Sequence, residues 1–237
     1  MKILVYAIVA CVAGCADDTD HLPVVPVGGG GTLVAPGTEV TPGQLPVIIG
    51  RVCLLADPRI LNGCALTGAG GFAVALGTVS GTTAADGTFS LPVPTSPSRV
   101  FTVSGPGIVP VSQPIAAVNT IPVMTQDLFG QVLAANGITL TQGSGTILAS
   151  VVDRGGNPVV GATAVSTPSP AFGPFFDGTT PTAWTLNGTG ARGVVLFPGV
   201  VVGPASATFD LGSSGESTVD GIQVVDGGIT IVDAVLP

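Results

Sequence analysis

Gly, Pro, Asp or Asn interrupts this chain every few residues, and between the interruptions lie short runs dominated by Val, Thr and Ala. That spacing leaves no room for a bundle of ordinary helices, which average about three turns, but it suits strands of five or six residues closed by tight turns. Gly (36) and Pro (21) together supply about 24 % of the 237 residues, while charged residues supply only 8 % and the mean hydropathy is +0.68. Such a hydropathy is high enough to suggest a membrane protein, and so much Gly and Pro suggests disorder. Disorder needs low hydrophobicity or high charge, and this chain is 46 % apolar. Several membrane spans need several apolar runs of about 18 or more residues, and turn residues break every run beyond the N-terminus. The reading is an all-β chain, long enough for two small β-sandwiches.

The first segment has a separate plan. Lys2 supplies one positive charge, and Ile3 to Ala13 is an apolar run that ends at Gly14-Cys15. This is too short for a stable spanning helix of about 20 residues and follows the layout of a secretory signal. Val12-Ala13-Gly14-Cys15 resembles the lipobox of bacterial lipoproteins. The resemblance implies cleavage after Gly14 and acylation of Cys15. Two or more acyl chains, at about 0.8 kcal/mol per buried CH₂, anchor a protein without a transmembrane helix. The alternative is ordinary signal cleavage and a free Cys15. Ala16 follows the cysteine, with Asp17, Asp18 and Asp20 close behind; by analogy with bacterial sorting rules this implies the outer membrane, with the periplasmic or cell-surface face open.

Four cysteines are present: Cys11 lies in the signal, Cys15 is the lipid site, and Cys53 and Cys64 remain. In an oxidising envelope these two are expected to pair. A catalytic thiol or metal pair is the alternative, but no second His, Cys pair or carboxylate cluster stands nearby. Beyond the signal the charge is set by five Arg against 14 acids, with no Lys. A P-loop lysine, a Schiff-base lysine and a PLP site are therefore excluded, and no cofactor is expected. Clustered cations for nucleic acid are also lacking. The single His, His21, stands six residues past the lipid site, so a His-based triad or zinc site inside a folded domain is excluded too.

The chain divides into a signal (1–14), the lipidated Cys and a Pro/Gly-rich tether (15–46), a first sandwich (47–123), a linker (124–142) and a second sandwich (143–237). Thr82 to Leu91 reads as strand, tight Asp86-Gly87 turn, strand. In the linker, Thr125 is an N-cap, Asp127 sits in the first turn, Leu128, Val132 and Leu133 share a face, and Asn136-Gly137 stops a short helix. A long loop is expected from Ser166 to Thr182. The two sandwich segments read as diverged copies, matching Gly63-Cys64-Ala65-Leu66 with Gly161-Ala162-Thr163-Ala164, Thr83 to Phe89 with Thr189 to Val195, and Phe101-Thr102-Val103 with Ala207-Thr208-Phe209.

At these residues the chain resembles the carboxypeptidase regulatory-like domain, a transthyretin-like (prealbumin-like) β-sandwich of bacterial envelope proteins. Val151-Val152-Asp153, Gly156-Asn157-Pro158-Val159 and Gly161-Ala162 match its opening strand, turn and Gly-Ala step, and Thr83 through Phe89 matches its Thr-x-x-Asp-Gly-x-Phe segment. The first copy departs at Asp57-Pro58-Arg59, where the family has a Gly-rich turn, and the second lacks the Asp before Gly193. The resemblance implies two tandem noncatalytic sandwiches joined by a short helical linker, with structural or protein-binding roles and an envelope protein or polysaccharide as partner. For a ligand site, Phe172, Phe175, Phe176 and Trp184 gather in the 166–184 segment. Exposed, they would give a glycan-binding or adhesive surface; buried, they are local core.

Overall fold

The computed structural model describes residues 38–39, 46–64, 69–95, 99–116 and 119–237. The signal, Cys15, His21 and most of the tether lie outside the described residues. Strands β1 (Thr38–Glu39), β2 (Val47–Leu54), β3 (Ala73–Leu76), β4 (Val79–Thr82), β5 (Thr88–Pro92), β6 (Val100–Ser104), β7 (Val111–Pro114) and β8 (Thr120–Val123) precede helix α1 (Gln126–Ala135). After it come β9 (Ser144–Val152), β10 (Thr163–Thr167), β11 (Phe175–Asp177), β12 (Trp184–Thr185), β13 (Val194–Val201), β14 (Gly203–Asp210), β15 (Glu216–Val224) and β16 (Ile229–Val235). The described part is therefore almost wholly β, with one α-helix, and Ala35–Pro237 forms one compact unit.

One hydrogen-bonding plan occurs twice. In the first half β2 pairs antiparallel with β5 and parallel with β8; in the second β9 pairs antiparallel with β13 and parallel with β16. The facing ladders match as well, β3–β6–β7 in one half and β10–β14–β15 in the other, all antiparallel. The connections repeat at atomic detail. Buried Thr83 donates its hydroxyl to Ala69 O (2.6 Å) and accepts from Phe72 N (3.0 Å). Buried Thr189 donates to Val159 O (2.7 Å) and accepts from Ala162 N (2.9 Å). Four residues on, Gly87 O accepts from Val52 N at 2.8 Å and Gly193 O from Val151 N at 2.7 Å. These bonds equate Gly71-Phe72 with Gly161-Ala162. The expected match at Gly63 is thus displaced by eight residues, and no strand begins at 63; β3 starts at Ala73.

The halves are not separate sandwiches in tandem. β16 lies parallel to β9 and also parallel to β7, with Ile229 opposite Val111 and Thr230 opposite Ser112. One nine-stranded sheet results, in the order β12-β11-β13-β9-β16-β7-β6-β3-β4. Pairing β7 in this way satisfies backbone groups that an open sheet edge would expose. The strands at the junction are covered on both faces, and their period of two sends alternate side chains to different cores. Leu148, Leu196, Ile229 and Ile231 join Val52, Phe89, Phe101 and Ile121 in one core. Ile147, Ala149, Val195 and Val232 join Ala207, Phe209 and Ile222 in the other.

Helix α1 begins where Thr125 accepts from Leu128 N at 3.1 Å, as its sequence predicts. It is a packed element, since Phe129 and Val132 enter the first core and Leu128 and Leu133 lie against it. Gly137 follows with φ 67°, the left-handed residue that ends many helices. The Asp86-Gly87 segment is a corner and not a hairpin turn, because β4 belongs to the nine-stranded sheet while β5 pairs with β2.

Candidate functional site

The cysteine loop builds one wall of a cleft. Cys53, 1 % exposed at the end of β2, is disulfide-bonded to Cys64 with Cα atoms 5.4 Å apart. Between them Asp57 and Arg59 form a bidentate pair: Nε donates to Oδ1 at 2.9 Å and an Nη2 donates to Oδ2 at 2.7 Å. The second terminal nitrogen of Arg59 donates to Gly178 O at 2.6 Å, fastening the loop to the chain just past β11. Partial burial raises the Asp57 carboxyl, but the hydrogen bonds and charge of Arg59 outweigh that effect and hold it below the usual carboxylate range.

The floor is the face of the nine-stranded sheet that carries Leu148, Leu196 and Ile231. Each of these strands turns polar or shorter two residues further along the same face. Asp233 stands opposite Ser150, which stands opposite Val194. Gln113, on the same face of β7 as Val111, falls beside Ile231 by the β7–β16 register, one row in from Asp233; its amide nitrogen donates to Thr120 O at 3.2 Å, and its Oε1 is buried with no donor. The apolar row is sealed under the first core, and the polar row opens into a cleft of about 490 Å³ walled by Arg59, Ile60, Leu61, Asn62, Pro122 and Arg192. The Asp233 carboxyl is open to the cleft yet flanked by protein, and this burial pushes it above the usual range.

A second cleft of about 510 Å³ lies beyond Arg59 and Arg192, which line both. At its base Asp177, 4 % exposed, accepts from the backbone nitrogens of Gly190 (2.8 Å), Arg192 (2.8 Å) and Val194 (3.0 Å). Three amides satisfy this side chain and fix the Thr189–Gly193 turn, so the role of Asp177 is structural. It sits on β11, inside the stretch expected to be loop; the two adjacent phenylalanines and the acid at their end were the signal for a short strand.

The four aromatic candidates do not share one exposed surface. Trp184, 8 % exposed, enters the first core and donates its Nε1–H to Pro181 O at 3.2 Å. Phe175 packs against that same core, whereas Phe176, 3 % exposed, points through the sheet into the other. Phe172 is half-buried. Sugar stacking needs open ring faces, and alternation along β11 gives its two rings to opposite sides. Sequence reasoning missed the cleft because it is built from β7, β9, β16 and the cysteine loop, whose juxtaposition is non-local.

No family model and no curated protein matches this chain. Among solved structures, the minor pilin GBS52 of Streptococcus agalactiae is 8 % identical, with 80 % of this chain and 96 % of that chain covered and a TM-score of 0.26. The Bacillus anthracis TIE protein is 13 % identical over 80 % of this chain and 33 % of that one, with a TM-score of 0.25. The shaft pilin spaA of Lactobacillus rhamnosus GG is 9 % identical over 81 % and 98 %, with a TM-score of 0.22. Likeness of this depth assigns no role.

Proposed function

We propose that this chain is a noncatalytic cell-envelope lipoprotein, anchored at the outer membrane through acyl chains on Cys15, with residues 16–46 as a tether. The part beyond the tether, two diverged transthyretin-like halves, serves structural or protein-binding roles. The observation that carries the reading is the Cys53–Cys64 bond, since disulfides persist in oxidising compartments and this one lies downstream of a segment that resembles a lipoprotein signal. The recurrent Thr83 and Thr189 networks support duplication of one sandwich unit.

Intact-mass spectrometry of the full-length protein, made in a bacterial host with an outer membrane, tests the anchor. The expected product lacks residues 1–14 and carries acyl chains on Cys15, and Cys15→Ala moves the protein from the membrane to the soluble fraction. An unmodified Cys15 or a retained Met1 refutes the anchor. Protease access on intact cells then assigns the face.

A further inference from the structure

Most charges around the two clefts are committed. Arg59 is held by Asp57 and Gly178 O, and Asp177 is held by three amides. Two are not. The guanidinium of Arg192 makes no hydrogen bond or ion pair among the described residues; its charge acts on the Asp57 carboxyl only through space, and the side chain is exposed at the cleft wall. The Asp233 carboxylate likewise accepts from no donor there, and no cation offsets its burial. These opposite charges stand at different ends of one cavity. Asp233 faces Ser150 and Ser150 faces Val194 across neighbouring strands, so two interstrand steps of about 4.8 Å separate Asp233 from Val194. Arg192 precedes Val194 by two residues. Between the ends the lining is mixed, with Ile60, Leu61, Pro122 and Ile231 beside the polar Asn62 and Ser150.

We propose that this cleft binds a short extended peptide with free ends, its ammonium at Asp233 and its carboxylate at Arg192. An extended residue advances about 3.3–3.6 Å, so two or three residues, about 7–11 Å, match the two interstrand steps when the two charged side chains rise from the floor on either side. The volume of about 490 Å³ lies within the range of small-ligand pockets. The aliphatic part of the lining takes small side chains, Asn62 and Ser150 offer hydrogen bonds to the peptide backbone, and the charged ends set the direction. The guanidinium offers a fork of donors to a carboxylate, and the carboxylate accepts from an ammonium. The site is independent of the lipid anchor, because it uses only residues past 58.

Titration of the full-length protein with trialanine, N-acetyl-trialanine and trialanine amide, followed by calorimetry and by NMR shifts, tests the assignment. The free peptide is expected to bind with a Kd of about 1 mM or tighter, and each cap to weaken binding about tenfold or more. Asp233→Asn should remove the discrimination against the acetylated peptide and keep that against the amide; Arg192→Gln should do the reverse. Both side chains are exposed, so both variants are expected to keep the wild-type circular dichroism. Should either variant unfold, the capped peptides on the wild type still decide. No saturable binding by about 10 mM, or caps without effect, overturns the proposal. So does discrimination that survives both substitutions.

Discussion

Gly87 and Gly193 occupy the same place in the two halves, and each is required twice over. Their φ values are 85° and 64°, a region that side-chain-bearing residues rarely enter. A Cβ at Gly87 would also meet Val52 O, and one at Gly193 would meet Val151 O at 2.5 Å. Gly107 has a similar φ of 74° but open space around the missing Cβ. Gly87→Ala and Gly193→Ala are therefore expected to cost more than about 2 kcal/mol each, against about 1 kcal/mol for Gly107→Ala, in urea unfolding. Equal costs at all three would show that the close approach to the neighbouring strand contributes nothing. A second residue-scale prediction concerns Asp57. Its folded carboxyl titrates below the unfolded value, so its stabilising contribution is complete above about pH 4 and is lost as pH falls through the lowered folded value. Asp57→Asn should flatten that part of the acid unfolding curve. A curve of unchanged shape would mean that the Arg59 clamp does not hold in solution.

At the scale of elements, local signals were legible and their partners were not. The α1 cap, its Asp127 and its stop are written within a dozen residues, so the helix could be read from them. Phe129 carries no such local signal, because its burial depends on a sheet that arrives from elsewhere. The Thr83-to-Phe89 motif was legible as strand and turn chemistry, and Asp86 does accept from Thr88 N at 3.0 Å. Whether such a turn closes a hairpin or carries the chain to another sheet depends on which strand waits at the far side, here β2. The match of Gly63 to Gly161 rests on spelling alone, whereas the bonds of Gly71 N to Thr83 O and of Gly161 N to Thr189 O select Gly71. The cysteine loop is the element with the clearest measurable consequence. Removing its cross-link through paired Cys53→Ala and Cys64→Ala substitutions should lower stability by about 3 kcal/mol, the chain-entropy value for a loop of this length. It should also raise hydrogen exchange at residues 57–62. Unchanged exchange there would mean that the Arg59 bond to Gly178 O alone fixes the loop.

For the whole molecule, the decisive strand is β16. Composition and periodicity place it in the second half, and its parallel pairing with β9 keeps it there. Nothing in its own residues announces that its other edge will take β7, since a strand's backbone groups are alike in every sequence. That pairing, with Ile229 and Ile231 buried in the first core, ties the halves together. Two sandwiches on a linker would unfold in separate steps; two halves sharing a sheet and a core should unfold in one. Calorimetric and van't Hoff enthalpies are expected to agree, and the most protected amides of β2 and β13 should exchange with the same opening free energy. Ser112→Val sharpens the test. Ser112 donates to Thr230 Oγ1 at 3.0 Å, and Thr230 still donates to Gln223 O at 2.8 Å after the change. The loss should be about 1 kcal/mol. Although Ser112 lies in the first half, the protection of β13 should fall by the same amount as that of β2. Protection that falls in β2 alone, or two resolved thermal transitions, would show that the shared sheet joins the halves in space without coupling their folding.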